Sequence, residues 1–431
     1  MKSRNSITWR RALSWCAAIC LLTAGTARAE LIGDWTVTAG NVIAPMGSPA
    51  GLTPEERSPN YAFDLATVHV AIYDAVNGIA RQYQPYVAEP AVDTQGASEA
   101  AAANEAAFRV LSALYPSRVA LYQPAYLTRM AAIADSPAKV KGQAVGADIA
   151  AQVVSWRSND GRETVLPPFV PGVLPGEFQG VNPLVLTTAP FVRPFALEQA
   201  AQFRPDGPYP LTSAEYAADY NEIKSLGAAN SVTRTPEQTD LARFGTDPPP
   251  LFWPRNLSRL TRDANGLVGN AKLMAMVWVA HADVTIACFE AKYYYYAWRP
   301  RTAIPAGEAD GNAATVGDTS WLPAFTTPNH PEYPAAHSCA TASAMEILRR
   351  FYGTKKVAFS FDTATTGLPA RNFTSTDQLI EEIGDARVFA GIHFRHATED
   401  GAELGRHVAK WILKNHFHAA DDPSRGVQHR E

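Results

Sequence analysis

Cysteine is scarce: there are four in 431 residues, and Cys16 and Cys20 fall within an N-terminal leader. The other two, Cys288 and Cys339, are too few for a disulfide framework; one bridge is open to them, none is required, and both read as small buried residues. Charge is sparse as well, at 19% of residues against 46% hydrophobic, which excludes disorder as the main state. Without residues 1–29 the balance is 33 basic against 42 acidic, net −9, which argues against nonspecific nucleic-acid binding. Beyond the leader no stretch reads as the roughly 20 apolar residues of a membrane span. Alternating strand patterns are also scarce, which argues against a β architecture.

The leader itself is patterned. Lys2, Arg4, Arg10 and Arg11 precede an apolar stretch from Ala12 to Ala24, and Ala27-Arg28-Ala29 is a small-x-small cleavage site. These features predict a signal peptide over 1–29, a mature chain from Glu30, and export to the periplasm or the medium. Arg10-Arg11 is half of a twin-arginine pattern that Trp9 and Ser14 do not complete.

Apolar residues recur at helical spacing from Tyr61 to Ile79, and helical stretches follow over Ala97–Leu114 and Ser136–Trp156. A Pro- and Gly-rich segment from Leu166 to about Pro210 carries Phe169, Val173, Phe178, Leu184 and Phe191. It predicts a long loop lying across the core. Thr212-Ser213-Ala214-Glu215 reads as a capping box opening a helix to Lys224, and Thr235-Pro236-Glu237 opens another. Helices are then predicted over Asn270–Trp298, Ala340–Phe351, Thr376–Phe394 and Gly401–His418. The fold class is mainly α, a helical-bundle core with a covering loop, in one domain over 30–431 whose site-forming part is about 270–418.

Three segments carry chemistry. Lys292 and Arg299 are seven apart, about 20° from one another on a helix. Two cations on one face repel unless an anion lies between them or water solvates them. In His330-Pro331-Glu332-Tyr333-Pro334-Ala335-Ala336-His337, a helix beginning after Pro334 would present unpartnered N–H groups beside His337. Arg387 and His393 would face about 120° apart on an unbroken helix, and a break at Gly391 would let them meet.

Lys292 to Arg299-Pro300, Pro334-Ala335-Ala336-His337 and Ala386-Arg387 to His393 resemble, in order and spacing, the motifs of vanadium-dependent haloperoxidases. That family shares its site with the type-2 phosphatidic acid phosphatases. The resemblance runs from about Ala282 to Gly405. It implies one vanadate per chain, with His393 as metal ligand, His337 as acid–base partner, and Lys292, Arg299, Arg387 and the Ala336 N–H around the oxyanion oxygens. Lys292 would also polarise bound peroxide. Three fixed cations would offset an oxyanion of charge about −2 to −3. The implied activity is oxidation of halide by hydrogen peroxide to a hypohalous species, with an organic acceptor as a further partner. The alternative is an exported acid phosphatase that phosphorylates His393.

The match departs from the family in places. Ala335 and Ala386 stand where the family has serine, and the hydroxyl missing at 335 is worth about 1.5–3 kcal/mol. Ala336 replaces a glycine, and Ala397 replaces an aspartate of many members, for which Glu399 or Asp400 is the candidate substitute. These alanines also define a third reading, a scaffold without turnover. His330 matches a histidine of algal bromoperoxidases and Phe289 a tryptophan of the chloroperoxidase, which tilts the expected halide toward bromide or iodide. Asp283, His69 and Asp74 are read as structural, and His281, His396 and His407 as packing or surface residues. The number of subunits stays open.

Overall fold

The computed structural model describes residues 31–44, 61–181 and 183–422; the expected signal peptide lies outside the described residues. A helix over 31–43 (α1) is followed by α2 (Tyr61–Ala80), α3 (Glu99–Leu114), α4 (Val119–Ala131) and α5 (Pro137–Arg157). After the long loop come α6 (Ala214–Leu226), α7 (Pro236–Phe244), α8 (Pro249–Leu257) and α9 (Gly266–Tyr295). The short α10 (Pro300–Ala303) precedes α11 (Ala336–Phe351), α12 (Thr376–Phe389) and α13 (Arg395–Asn415). Phe359–Phe361 and Arg371–Phe373 pair antiparallel, and that hairpin is the whole of the sheet structure among the described residues.

The fold is mainly α, as the periodicities imply, and α9 is its axis. This helix packs against α2, α11 and α13, and 22 of its 30 residues are buried, with only Gly266 and Tyr294 exposed. It has no polar face because it has no solvent face. By length and apolar content Asp263–Tyr295 would pass for a membrane span, contrary to the expectation from the sequence. Its burial among the other helices accounts for that composition. One buried apolar cluster runs from Leu31 to Phe417 and draws on helices from both ends of the chain.

Several boundaries move. Ser213, not Thr212, caps α6 by accepting the Tyr216 N–H, whereas the full reciprocal box forms at Thr235 and Gln238. Helices α4 and α8, which the sequence reading passed over, each hold an internal proline, Pro124 and Pro254. Of the apolar residues expected to bury the long loop, Phe178 does so, against Tyr296; Val173 and Phe191 are exposed. Backbone bonds hold that loop instead: Phe178 N–H to Tyr296 O, Trp298 N–H to Gly176 O, and Val185 N–H to Asn329 O. These bonds join it to the end of α9 and to the segment before His330, which is where the site forms.

Asp283 fastens the other end of the loop. Its buried carboxylate accepts the N–H groups of Phe195, Ala196 and Leu197 at 2.6, 2.7 and 2.8 Å. Burial raises its pKa to about 6, against the pull of those three bonds. Asp283→Ala would orphan three buried donors, and a loss of about 3 kcal/mol or more is expected as a lower denaturant midpoint. An unchanged midpoint would remove this anchoring role.

Candidate active site

Lys292 lies in the last turn of α9, fully buried, and its Nζ donates to the carbonyls of Pro331 and Glu332, each at 2.9 Å. The chain then turns left-handed at Tyr296, φ 55°, so Arg299 is not on the helix at all. The shared helical face expected of Lys292 and Arg299 does not exist. They converge because the chain doubles back and presents Arg299 from the residue before α10. That guanidinium is 2% exposed. Its Nε donates to His330 O at 2.9 Å, Nη1 to Ile392 O at 2.8 Å, and Nη2 to His330 Nδ1 at 3.0 Å.

Arg387 closes the trio from the last turn of α12, donating Nη1 to Gly245 O at 2.5 Å. Its Nε is buried and has no hydrogen-bond partner among the described residues. Burial presses the pKa values of Lys292, Arg299 and Arg387 downward, Lys292 to about 8, and repulsion from Arg299 adds to it at both Lys292 and Arg387. Arginine does not give up its proton under such pressure, so the strain persists as positive charge, which Glu332 offsets in part at Arg299 and Lys292.

His393 reaches this charge because α12 stops. The helix ends at Phe389 and not at Phe394 as the periodicity suggests, and α13 begins at Arg395, six residues earlier than expected. Gly391 makes the break at φ 78°, where a Cβ would come within 2.2 Å of the Gly227 carbonyl oxygen. The His393 ring is wholly buried, with Nδ1 2.9 Å from Glu332 Oε1 and Nε2 3.0 Å from Arg299 Nη1. Guanidinium has only donors, so Nε2 is the acceptor and the proton is assigned to Nδ1. Burial, then the charges of Arg299, Lys292 and Arg387, hold this imidazole far below its usual pKa and so neutral. The result is an unprotonated Nε2 whose lone pair accepts from Arg299 and feels the charge of Lys292 and Arg387.

Glu332, quoted in its motif but given no role by the sequence, turns out to be the orienting partner. Burial raises its pKa to about 7 while Arg299 and Lys292 pull it down. The two donors on Oε1, His393 Nδ1–H and the Phe394 N–H at 3.0 Å, favour the carboxylate. An acid between two prolines and two histidines was the available signal.

His337 stands in the first turn of α11, half-buried, beside Ala336 at the first helical position. No side chain caps this helix start, which leaves its first N–H groups without a local acceptor. Burial and then Arg387, Lys292 and Arg299 keep the His337 imidazole neutral. His330 belongs to the same cluster through Arg299, and its ring lies 5.1 Å from that of Phe289. Glu399 is exposed and Asp400 accepts from Tyr333, so neither takes the place vacated at Ala397. Ala397 instead packs in one small apolar cluster with Ala335 and accepts its N–H at 2.8 Å. The two alanine departures are thus neighbours. Asp74 caps the turn at Tyr86, Val87 and Ala88 and His69 meets Thr36, while His281 meets Tyr61 yet lies near enough to act electrostatically on His337. His396 stacks on Tyr209, and His407 packs against Phe203.

This donor set fits an oxyanion held through one nitrogen. Among the described residues no group of three or more His, Cys, Asp or Glu could hold a bare metal ion. An unpartnered buried guanidinium nitrogen, three crowded cations and one oriented imidazole instead call for a negatively charged group.

Comparison with known proteins agrees with that chemistry. Residues 272–421 match the family described as the VCPO second helical-bundle domain. That match covers about a third of the chain and marks this part as similar to that helical bundle. Vanadium chloroperoxidase of Curvularia inaequalis is 28% identical over 190 residues, 36% of this chain and 30% of that enzyme, so the chain matches under a third of that relative's length. A bacterial vanadium-dependent iodoperoxidase superposes with a TM-score of 0.74 at 24% identity, covering 92% of this chain and 98% of that one. A holo-type bacterial vanadium-dependent chloroperoxidase gives 0.64 at 15% identity, covering 83% and 91%. These likenesses extend the haloperoxidase fold over most of the chain. The family resemblance read from the motifs is borne out.

Proposed function

We propose that this chain is an exported, vanadate-dependent haloperoxidase, a single catalytic domain that uses hydrogen peroxide to oxidise bromide or iodide. The observation that carries the reading is the unprotonated Nε2 of His393, its ring fixed by Glu332, in contact with Arg299 and under the charge of Lys292 and Arg387. Vanadate, one per chain, would supply Lewis-acid activation of peroxide. His393 Nε2 would be its metal ligand, and the three cations and the Ala336 N–H would hold its oxygens. Lys292 would polarise a peroxide oxygen, and the neutral, half-buried His337 would accept and return its proton. His330, bonded to Arg299 and packed on Phe289, would with that ring tune which halide is oxidised. The hypohalous product then reacts with an organic acceptor.

Protein titrated with vanadate should gain bromination or iodination of a phenol dye in the presence of peroxide. Were the chain a phosphatase working through phosphohistidine, vanadate would instead inhibit hydrolysis of an aryl phosphate. Activation without phosphatase turnover supports the proposal, and inhibition of such turnover refutes it.

Glu332→Gln keeps the shape and removes the charge that orients His393. Partners of ligating histidines are worth about 10–100-fold in affinity, and a weakening of vanadate binding in that range is expected by equilibrium dialysis. Unchanged affinity would mean that Glu332 only fills space.

A further inference from the structure

Two cysteines that the oxyanion chemistry does not use meet directly beside it. Cys288 on α9 precedes Lys292 by one helical turn, and Cys339 on α11 follows His337 by two residues. Both are free and 1% exposed, on helices that pack together. Cys339 Sγ donates to Cys288 Sγ at 3.0 Å, and Cys288 Sγ lies 3.8 Å from the Pro334 carbonyl oxygen. A disulfide needs about 2.05 Å, so an approach of roughly 1 Å closes it. The two thiols are not equivalent. Burial raises the Cys288 pKa, but the bond from Cys339 and the charges of Lys292 and Arg299 more than offset this; burial and Cys288 push Cys339 well up. Cys288 is therefore the thiolate-forming member and Cys339 the partner that follows.

We infer that Cys288 and Cys339 are a peroxide-oxidisable pair whose disulfide bolts α9 to α11 at the wall of the cation cluster. The Cys288 thiolate attacks one oxygen of hydrogen peroxide and the O–O bond breaks. The departing hydroxide takes up a proton as water and leaves Cys288 as the sulfenic acid. The Cys339 sulfur then displaces the hydroxyl, the S–S bond forms, and a second water departs with the Cys339 proton. Two thiols lose two electrons and one peroxide becomes two waters. The bond spans 51 residues of sequence and ends within one turn of both Lys292 and His337. It thereby fixes the spacing of the two helix segments that carry those groups. The inference needs peroxide but no halide turnover, so it stands apart from the proposed function.

The test takes the full chain, reduced and desalted, treats it with equimolar peroxide without vanadate, and maps alkylated peptides by mass spectrometry. The expected result is one linked pair of peptides containing Cys288 and Cys339, about 2 Da lighter than the two thiols, with both alkylation sites lost together. Cys339→Ser should yield instead a dimedone-trappable sulfenic acid on Cys288. The linked form should melt about 5 °C above the reduced form, a difference absent from Cys288→Ser. The same link should form in His393→Ala, where the anion site is disabled. If both thiols stay alkylatable after excess peroxide, or if the link forms only with vanadate bound, the inference is overturned.

Discussion

His393→Ala is expected to abolish vanadate retention while leaving the helical bundle folded. The imidazole provides the nitrogen that faces the cations, and no other unprotonated ring nitrogen there has an acidic partner holding it in place. Loss of an orienting partner alone costs about 10–100-fold, so removal of the ligand itself should exceed about a hundredfold. Structurally the change is bounded. Arg299 keeps its bonds to His330 O and Ile392 O, and Glu332 keeps the Phe394 N–H. The orphaned bonds amount to about 1–3 kcal/mol. Vanadium content after dialysis, read beside circular dichroism, checks both halves. A variant that is helical and still holds one vanadium per chain would discard His393 as the ligand, and with it the proposed function.

Above about pH 8 the affinity for oxyanions should fall by roughly tenfold per pH unit, and Lys292→Met should remove that slope. The sign follows from burial, which lowers the Lys292 pKa from 10.5 to about 8. A bound anion favours the charged ammonium and raises that pKa again, so binding above pH 8 must take up a proton. At pH 7 the variant should already bind about 10–100-fold more weakly, the loss of one charge-assisted contact. Calorimetry of wild type and variant at each pH cancels the anion's own ionisation. Parallel curves for the two proteins would show that the pH dependence belongs to another group. For the anion-free chain the stability effect runs the other way. The unfolded lysine holds its proton more tightly, so this group's contribution to stability rises with pH between about 8 and 10.5.

Much of the site was legible as spacing and little of it as geometry. Lys292, Arg299, His337, Arg387 and His393 are all recoverable from short motifs, and in the structure the three cations act electrostatically on both imidazoles. The helical-face argument for Lys292 and Arg299 nevertheless fails, because Tyr296 turns left-handed and ends α9 before Arg299. No periodicity reveals where a helix chooses to end when the residue that ends it is a tyrosine. Gly391 was a better signal, since only a residue without Cβ fits beside Gly227. Prolines inside α4 and α8 hid those helices, whose cores are supplied by packing against the rest of the bundle.

The chemical inventory was set locally: three cations, two imidazoles, an acid between prolines, and helix periods that forced a mainly α chain. Those properties belong to residue types and to repeats of 3.6, which any stretch of sequence displays on its own. What only tertiary structure decided is which groups touch. Glu332 became the partner of His393 across 61 residues, Ala335 met Ala397, and Cys288 met Cys339. Such pairings come from burial of distant helices against α9, where desolvation makes every unmatched charge costly and so selects the contacts that remain.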